Sequence, residues 1–178
     1  GDLLANSAAA TNTYLHSRSA VSNDPRVRGY RLGQVRSHAN GAFWVPVRPD
    51  LDTPLSRIDS STVRDVVLLK GPYSVRHGPG LAYVDIQLNE TPRYMDGFGW
   101  SGRSAMTYDT NGKQFYGHQQ FQGGSSDYGY RLGYGHRGGS DYDTGAGNPV
   151  DANYNVRDWE FAYGFDLGPD RRMEFGYL

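Results

Sequence analysis

From Phe98 onward apolar and polar residues alternate one by one, the period-2 pattern of strands whose two faces meet different surroundings. In the first run Phe98, Trp100, Gly102, Ser104, Met106 and Tyr108 share one face; Gly99, Ser101, Arg103, Ala105, Thr107 and Asp109 share the other. Asn111-Gly112 then predicts a tight hairpin turn. A second strand sets Phe115 and Phe121 against Gln114, Tyr116, His118, Gln120 and Gln122. After GGSSD, a third sets Tyr128, Tyr130, Leu132 and Tyr134 against Gly129, Arg131, Gly133, Gly135 and Arg137. A long polar segment over residues 138–154 follows. The fourth strand opposes Trp159, Phe161, Tyr163, Phe165 and Leu167 to Asp158, Glu160, Ala162, Gly164 and Asp166, and Gly168-Pro169-Asp170 turns into a fifth alternation of Met173, Phe175 and Tyr177. The connections are thus short, short, long, short.

The earlier half has another texture. Residues 3–15 suit a short helix or turn, RVRGYRL a strand, and SSTVRDV a turn with capping hydroxyls. VVLLKG and YVDIQL are β-branched strands, and Pro46, Pro49 and Pro54 punctuate a surface loop. The expected architecture is a mixed α/β domain over residues 1–90, followed by antiparallel strands over residues 91–178.

Composition narrows what the alternation means. A soluble sandwich fills its inner face with Val, Ile and Leu, whereas here Tyr, Trp and Phe dominate and make up 13% of the chain. Aromatic rings suit a membrane interface, and a face of Gln, Arg, Asp, Glu, His and Gly suits a wet lumen. The pattern therefore favours strands of a transmembrane β-barrel over a soluble sheet. No apolar run reaches the length of a transmembrane helix, but barrel strands need only about 9–11 residues. With 18 Lys+Arg against 19 Asp+Glu the chain lacks the basic excess of a nucleic-acid partner. Having no cysteine, it can form neither a disulfide nor a Cys-based zinc site. Both ends look cut, so a longer protein is expected.

Candidate chemistry is sparse. Residues 63–80, VRDVVLLKGPYSVRHGPG, end a strand in two Gly-Pro turns flanked by Lys70, Arg76 and His77. A phosphate loop needs free N–H groups leading into a helix; here prolines remove donors and a strand follows. Ser74 lacks the G-x-S-x-G frame of a nucleophile. The stretch is expected to be a structural corner. The five histidines have no metal-ligand spacing, and the Asp141-x-Asp143-x-Gly145 run lacks the carboxylate a calcium loop places at position twelve, where Ala152 stands. Neither a metal, a cofactor nor an enzymatic centre is expected.

These residues carry a resemblance. VRDVVLL, then Lys70-Gly71-Pro72-Tyr73-Ser74-Val75-Arg76-His77-Gly78-Pro79-Gly80, then YVDIQL resembles the end of the plug domain of TonB-dependent outer-membrane receptors. Arg26-Val27-Arg28-Gly29-Tyr30, the opening GDLLANS and Ala39-Asn40-Gly41 resemble further plug segments in family order. The sequence departs from the family at His77, where an aromatic is usual, and at Leu81-Ala82-Tyr83, where a small-Gly pair is common, so the corner is expected to pack differently. The resemblance implies a plug over residues 1–90 and the first strands of an incomplete barrel over 91–178. It implies active uptake of a siderophore, cobalamin, metal chelate or glycan across a Gram-negative type outer membrane, with no covalent chemistry. The implied partners are TonB, whose contact segment is expected upstream of Gly1, a small nutrient ligand and outer-membrane lipid.

It also implies roles. Arg28 and Lys70 match two basic positions that pair with barrel-wall carboxylates and lock the plug; the alternative is two exposed charges. Gly71, Gly78 and Gly80 would serve tight turns. Ligand-facing loops would lie near residues 14–16, 31–38 and 44–50, giving Arg31, Gln34, Trp44, Arg48 and Asp50 as ligand-binding candidates, against the alternative of a solvated Pro-rich loop. Residues 138–154 would form an extracellular loop. Two other readings stay open: a passive porin or surface adhesin, and a soluble carbohydrate-binding β module with Trp44, Trp100 and Trp159 as sugar platforms.

Overall fold

The computed structural model describes residues 13–19, 22–27, 30–31, 36–43, 58–78 and 82–178. The chain forms two compact units, Gly1–Asn89 and Glu90–Leu178. Among the described residues the fold is mostly β, and its helical elements are short 3-10 turns. The mixed α/β character expected for residues 1–90 is therefore not seen there. The short helix or turn expected over residues 3–15 is, at the described residues 13–15, strand.

In the first unit, β1 (Thr13–Ser19), β2 (Ser22–Val27) and β3 (Tyr30–Arg31) form an antiparallel sheet. The single strand expected at RVRGYRL is thus two strands paired Val27 to Tyr30. A second sheet orders β5 (Ala42–Phe43), β4 (Arg36–Ala39), β7 (Ala82–Leu88) and β6 (Val63–Lys70), with β4 and β7 parallel. Interior β7 is buried from Ala82 through Ile86, and Ala82 and Val84 pack against Val66 and Leu68. The β4–β5 hairpin turns on Asn40 and Gly41, at φ 48° and 77°, the sign that a type I′ turn requires at both positions. Gly41 N–H donates to the buried Asp85 carboxylate at 3.0 Å, and Leu88 N–H donates to Asn40 Oδ1 at 2.8 Å.

The second unit is an antiparallel meander of β8 (Gly99–Asp109), β9 (Gln114–Gly124) and β10 (Tyr128–Gly139), with the two-residue strands β11 (Tyr142–Asp143) and β12 (Pro149–Val150) inserted before β13 (Tyr154–Gly168) and β14 (Arg171–Tyr177). The first four long strands run 11, 11, 12 and 15 residues, enough to cross a bilayer as tilted β-strands. Register preserves the alternation across the sheet. One row reads Gly102, Phe121, Leu132, Phe161 and Tyr177. The next apolar rows align Tyr134 with Trp159, and Tyr130 with Tyr163 and Phe175. This outer face is open: Trp159 is 64% and Tyr177 68% exposed.

The Asn111-Gly112 turn differs from expectation. Asp109 pairs with Gln114, so four residues, 110–113, make the connection. Gly112 and Lys113 are its positive-φ members, while Thr110 is helical. The reason lies in a tertiary contact: Ser140 N–H donates to Gly112 O at 2.7 Å and Asn111 Nδ2 to Asp143 O at 3.3 Å. Both connections at that end are thereby fastened together. The opposite end carries the short turns after Gly124 and Gly168.

Candidate functional site

The inner face of the five-stranded sheet holds the charge. Arg131 and Glu160 form an ion pair with side chains 3% and 5% exposed, placed diagonally across β10 and β13. Gly133 stands opposite Glu160, and a Cβ there would lie 2.8 Å from Glu160 Oε2, so the missing side chain is what lets the carboxylate lie flat. His118 and Gln120 are buried beside it. Arg137 and Asp158 add a pair at 3.5 Å.

Residues 90–94, Glu-Thr-Pro-Arg-Tyr, cross this face as a strap before the chain enters β8. Beneath them four strands contribute one glycine each to a single register row: Gly99, Gly124, Gly129 and Gly164, completed on β14 by Glu174. A Cβ on Gly129 would overlap the Pro92 carbonyl, on Gly164 the Thr91 hydroxyl, and on Gly99 the Tyr94 ring. Each strand glycine costs about 0.5–1 kcal/mol relative to Ala. In return the sheet admits the strap closely: Gly124 and Gly129 make room for the Pro92 carbonyl, Gly164 for the Thr91 hydroxyl and Gly99 for the Tyr94 ring.

Polar contacts hold the strap. Thr91 N–H donates to Glu174 at 3.2 Å and Tyr94 N–H to Ser125 O at 3.2 Å. Arg93, its side chain 10% exposed, grips Asp166 with two nitrogens at 2.9 and 3.3 Å, the fork geometry suited to a carboxylate. Arg172 bridges Asp166 at 3.1 Å and Glu90 at 3.0 Å, and Arg131 donates to Glu90 O at 3.1 Å.

The corner at residues 70–78 lies in the first unit. β6 ends at Lys70, Pro72–His77 form a 3-10 turn, and Gly71 and Gly78 flank it at φ 85° and 107°. The two departures from the family motif meet here: the His77 ring stacks on Tyr83 with centroids 4.1 Å apart, and His38 packs on the same ring at 4.5 Å. Burial pushes the Tyr83 phenol above its ordinary pKa, and the neighbouring Asp85 carboxylate adds to the effect.

Of the remaining candidates, Arg28, Gln34, Trp44, Arg48, Asp50 and Gly80 lie outside the described residues. Arg31 belongs to β3. Residues 14–16, expected in a loop, are part of β1, and residues 36–38 part of β4. The strap residues and the inner-wall pairs were not singled out by sequence reasoning. Arg131, Glu160 and Asp166 were legible as inward positions, but their partners depend on register.

No protein-family model matches the chain, and no curated protein matches it in sequence. Solved structures do. The copper transporter OprC aligns over 92% of this chain with a TM-score of 0.79 at 23% identity. The ferric enterobactin receptor PfeA of Pseudomonas aeruginosa aligns over 93% with a TM-score of 0.61 at 15% identity. The FrpB iron transporter of Neisseria meningitidis aligns over 93% with a TM-score of 0.64 at 14% identity. These are TonB-dependent receptors. The chain has the fold of part of one. It covers 25% of OprC, 28% of PfeA and 26% of FrpB, so it spans about a quarter of the length of the receptors it matches. Those receptors are transporters, not enzymes.

Proposed function

We propose that this chain is the plug and the first barrel strands of a TonB-dependent outer-membrane receptor that takes up a scarce nutrient. The observation that carries the reading is the two-faced meander, with an exposed aromatic face, a charged inner wall and strands of membrane-spanning length, in a chain that aligns over 92% of its length with such a receptor. An exposed aromatic surface of this size needs a cover, and lipid supplies it while the charged face lines a wet lumen.

In this reading ligand binds the outward side of the plug and wall, with Arg31, Gln34, Trp44, Arg48 and Asp50 as its candidate contacts. The expected loop over residues 138–154, which shortens to residues 140–153 between β10 and β13, is extracellular, since long connections belong on that side. Arg28 and Lys70 lock the plug to wall carboxylates. Breaking one side of such a buried pair is costly, which suits a latch. TonB, drawing on the proton gradient of the inner membrane, pulls the plug and opens a path. The matched proteins are named for copper and for iron compounds; the cargo here is a siderophore, cobalamin, metal chelate or glycan.

The test is heat-modifiable migration of the full-length protein extracted from the outer membrane in detergent. A shift on boiling is the expected result, followed by nutrient uptake that collapses with the proton gradient. An unshifted protein in the soluble fraction would favour a soluble carbohydrate-binding sheet. A shifted protein whose transport persists without the gradient would favour a passive porin.

A further inference from the structure

The residues on either side of the Asn89–Glu90 bond are each tied into their own unit. On the first unit's side Asn89 N–H donates to Thr62 O at 2.8 Å and its side-chain amide to Ser61 O at 2.8 Å. On the second unit's side Glu90 is held by Arg131 and Arg172, and Thr91 by Glu174. Adjacent residues are therefore anchored in different units, and one peptide bond separates the anchors.

We propose that residues 90–94 act as a mechanical stop: when the first unit is displaced or unfolds, the disruption ends at the Asn89–Glu90 bond and the strap stays on the sheet. This rests on the receptor reading, in which the first unit is the part that TonB moves. The geometry suits the task. The strap runs across the strands, so a pull on Asn89 meets the Glu90, Thr91 and Arg93 contacts before it reaches Gly99 at the start of β8. The glycine row lets the strap's backbone lie against the sheet, where Thr91 is 2% exposed and water has little access to compete for its hydrogen bonds. Arg93 and Arg172 share Asp166, so loss of one contact leaves the carboxylate still tied to the strap's neighbours.

The experiment is residue-resolved hydrogen exchange on the full-length receptor in detergent across a urea series. At urea concentrations where the amides of β6 and β7 exchange freely, the Thr91 and Tyr94 amides should keep the protection of β10 and β13. In Arg93→Ala/Arg172→Ala they should lose at least tenfold of it, while the β10 and β13 amides hold theirs. Strap amides that exchange together with β6 and β7, or that are indifferent to the double substitution, would overturn the proposal. Should the variant fail to fold, the wild-type series decides by itself. Failure here is separable from failure of the receptor reading: a heat-modifiable barrel whose strap opens with the first unit refutes the stop alone.

Discussion

Arg131 and Glu160 face each other on the inner wall with almost no exposed side-chain surface. Truncating one of them leaves an uncompensated buried charge, which typically costs about 3–5 kcal/mol. Arg131→Ala in the full-length receptor should lower the temperature of the heat-induced band shift accordingly, and Arg131→Met with Glu160→Leu should recover most of the loss. At the corner, Gly71 adopts φ 85° and ψ −157°, a region nearly closed to other residues. Gly71→Ala should destabilise the first unit by about 1–3 kcal/mol, read as a shifted urea midpoint, whereas Gly145→Ala, whose Cβ would meet open space, should shift nothing. The motif identified Gly71 as special; the partner of His77 became visible only when Tyr83 was brought under its ring.

Each long strand of the second unit presents one face to each environment, so position parity predicts tolerance. Phe161 lies midway along the aromatic part of β13, between Trp159 and Tyr163. Phe161→Arg should cost about 2–4 kcal/mol if that row lies near the bilayer midplane, whereas Thr107→Arg on the inner face of β8 should cost far less; equilibrium folding into lipid vesicles measures both. The loop after β10 is clasped by Asp141, which accepts from Ala152 N–H at 3.0 Å and Asn153 N–H at 3.1 Å. Chiefly the Ala152 N–H, and then the Asn153 amides, hold its pKa below the ordinary carboxylate value. A folded pKa that is depressed contributes stability above the ordinary value and loses it as pH falls through the lowered one. The Ala152 and Asn153 amide resonances should therefore be constant through neutral pH and move only below about pH 3.9. In the second unit the existence of the long strands and their alternation were plain in the sequence. The pairing of Arg26 and Val27 with Arg31 and Tyr30 and the four-residue turn at 110–113 were not, because pairing partners set both.

At the scale of the molecule, the five-stranded sheet runs from β14 to β8 without closing. Such edges leave backbone groups unpaired, which lipid does not tolerate, and the aromatic face is equally unsuited to water. Residues 1–178 alone should aggregate in buffer; a monodisperse, water-soluble folded monomer in analytical ultracentrifugation would contradict the membrane reading. Within the second unit the strap is held by two ion pairs, Arg93 with Asp166 and Glu90 with Arg172, and by the Thr91 and Tyr94 backbone hydrogen bonds.

The sequence by itself determined the long strands of the second unit, their two-faced character and the family motifs, because period-2 patterning and turn chemistry are local properties of the chain. Tertiary structure decided the glycine row and the strap. Gly99, Gly124, Gly129 and Gly164 are scattered along the chain and meet only through register, since antiparallel pairing, not sequence spacing, determines which residues stand side by side.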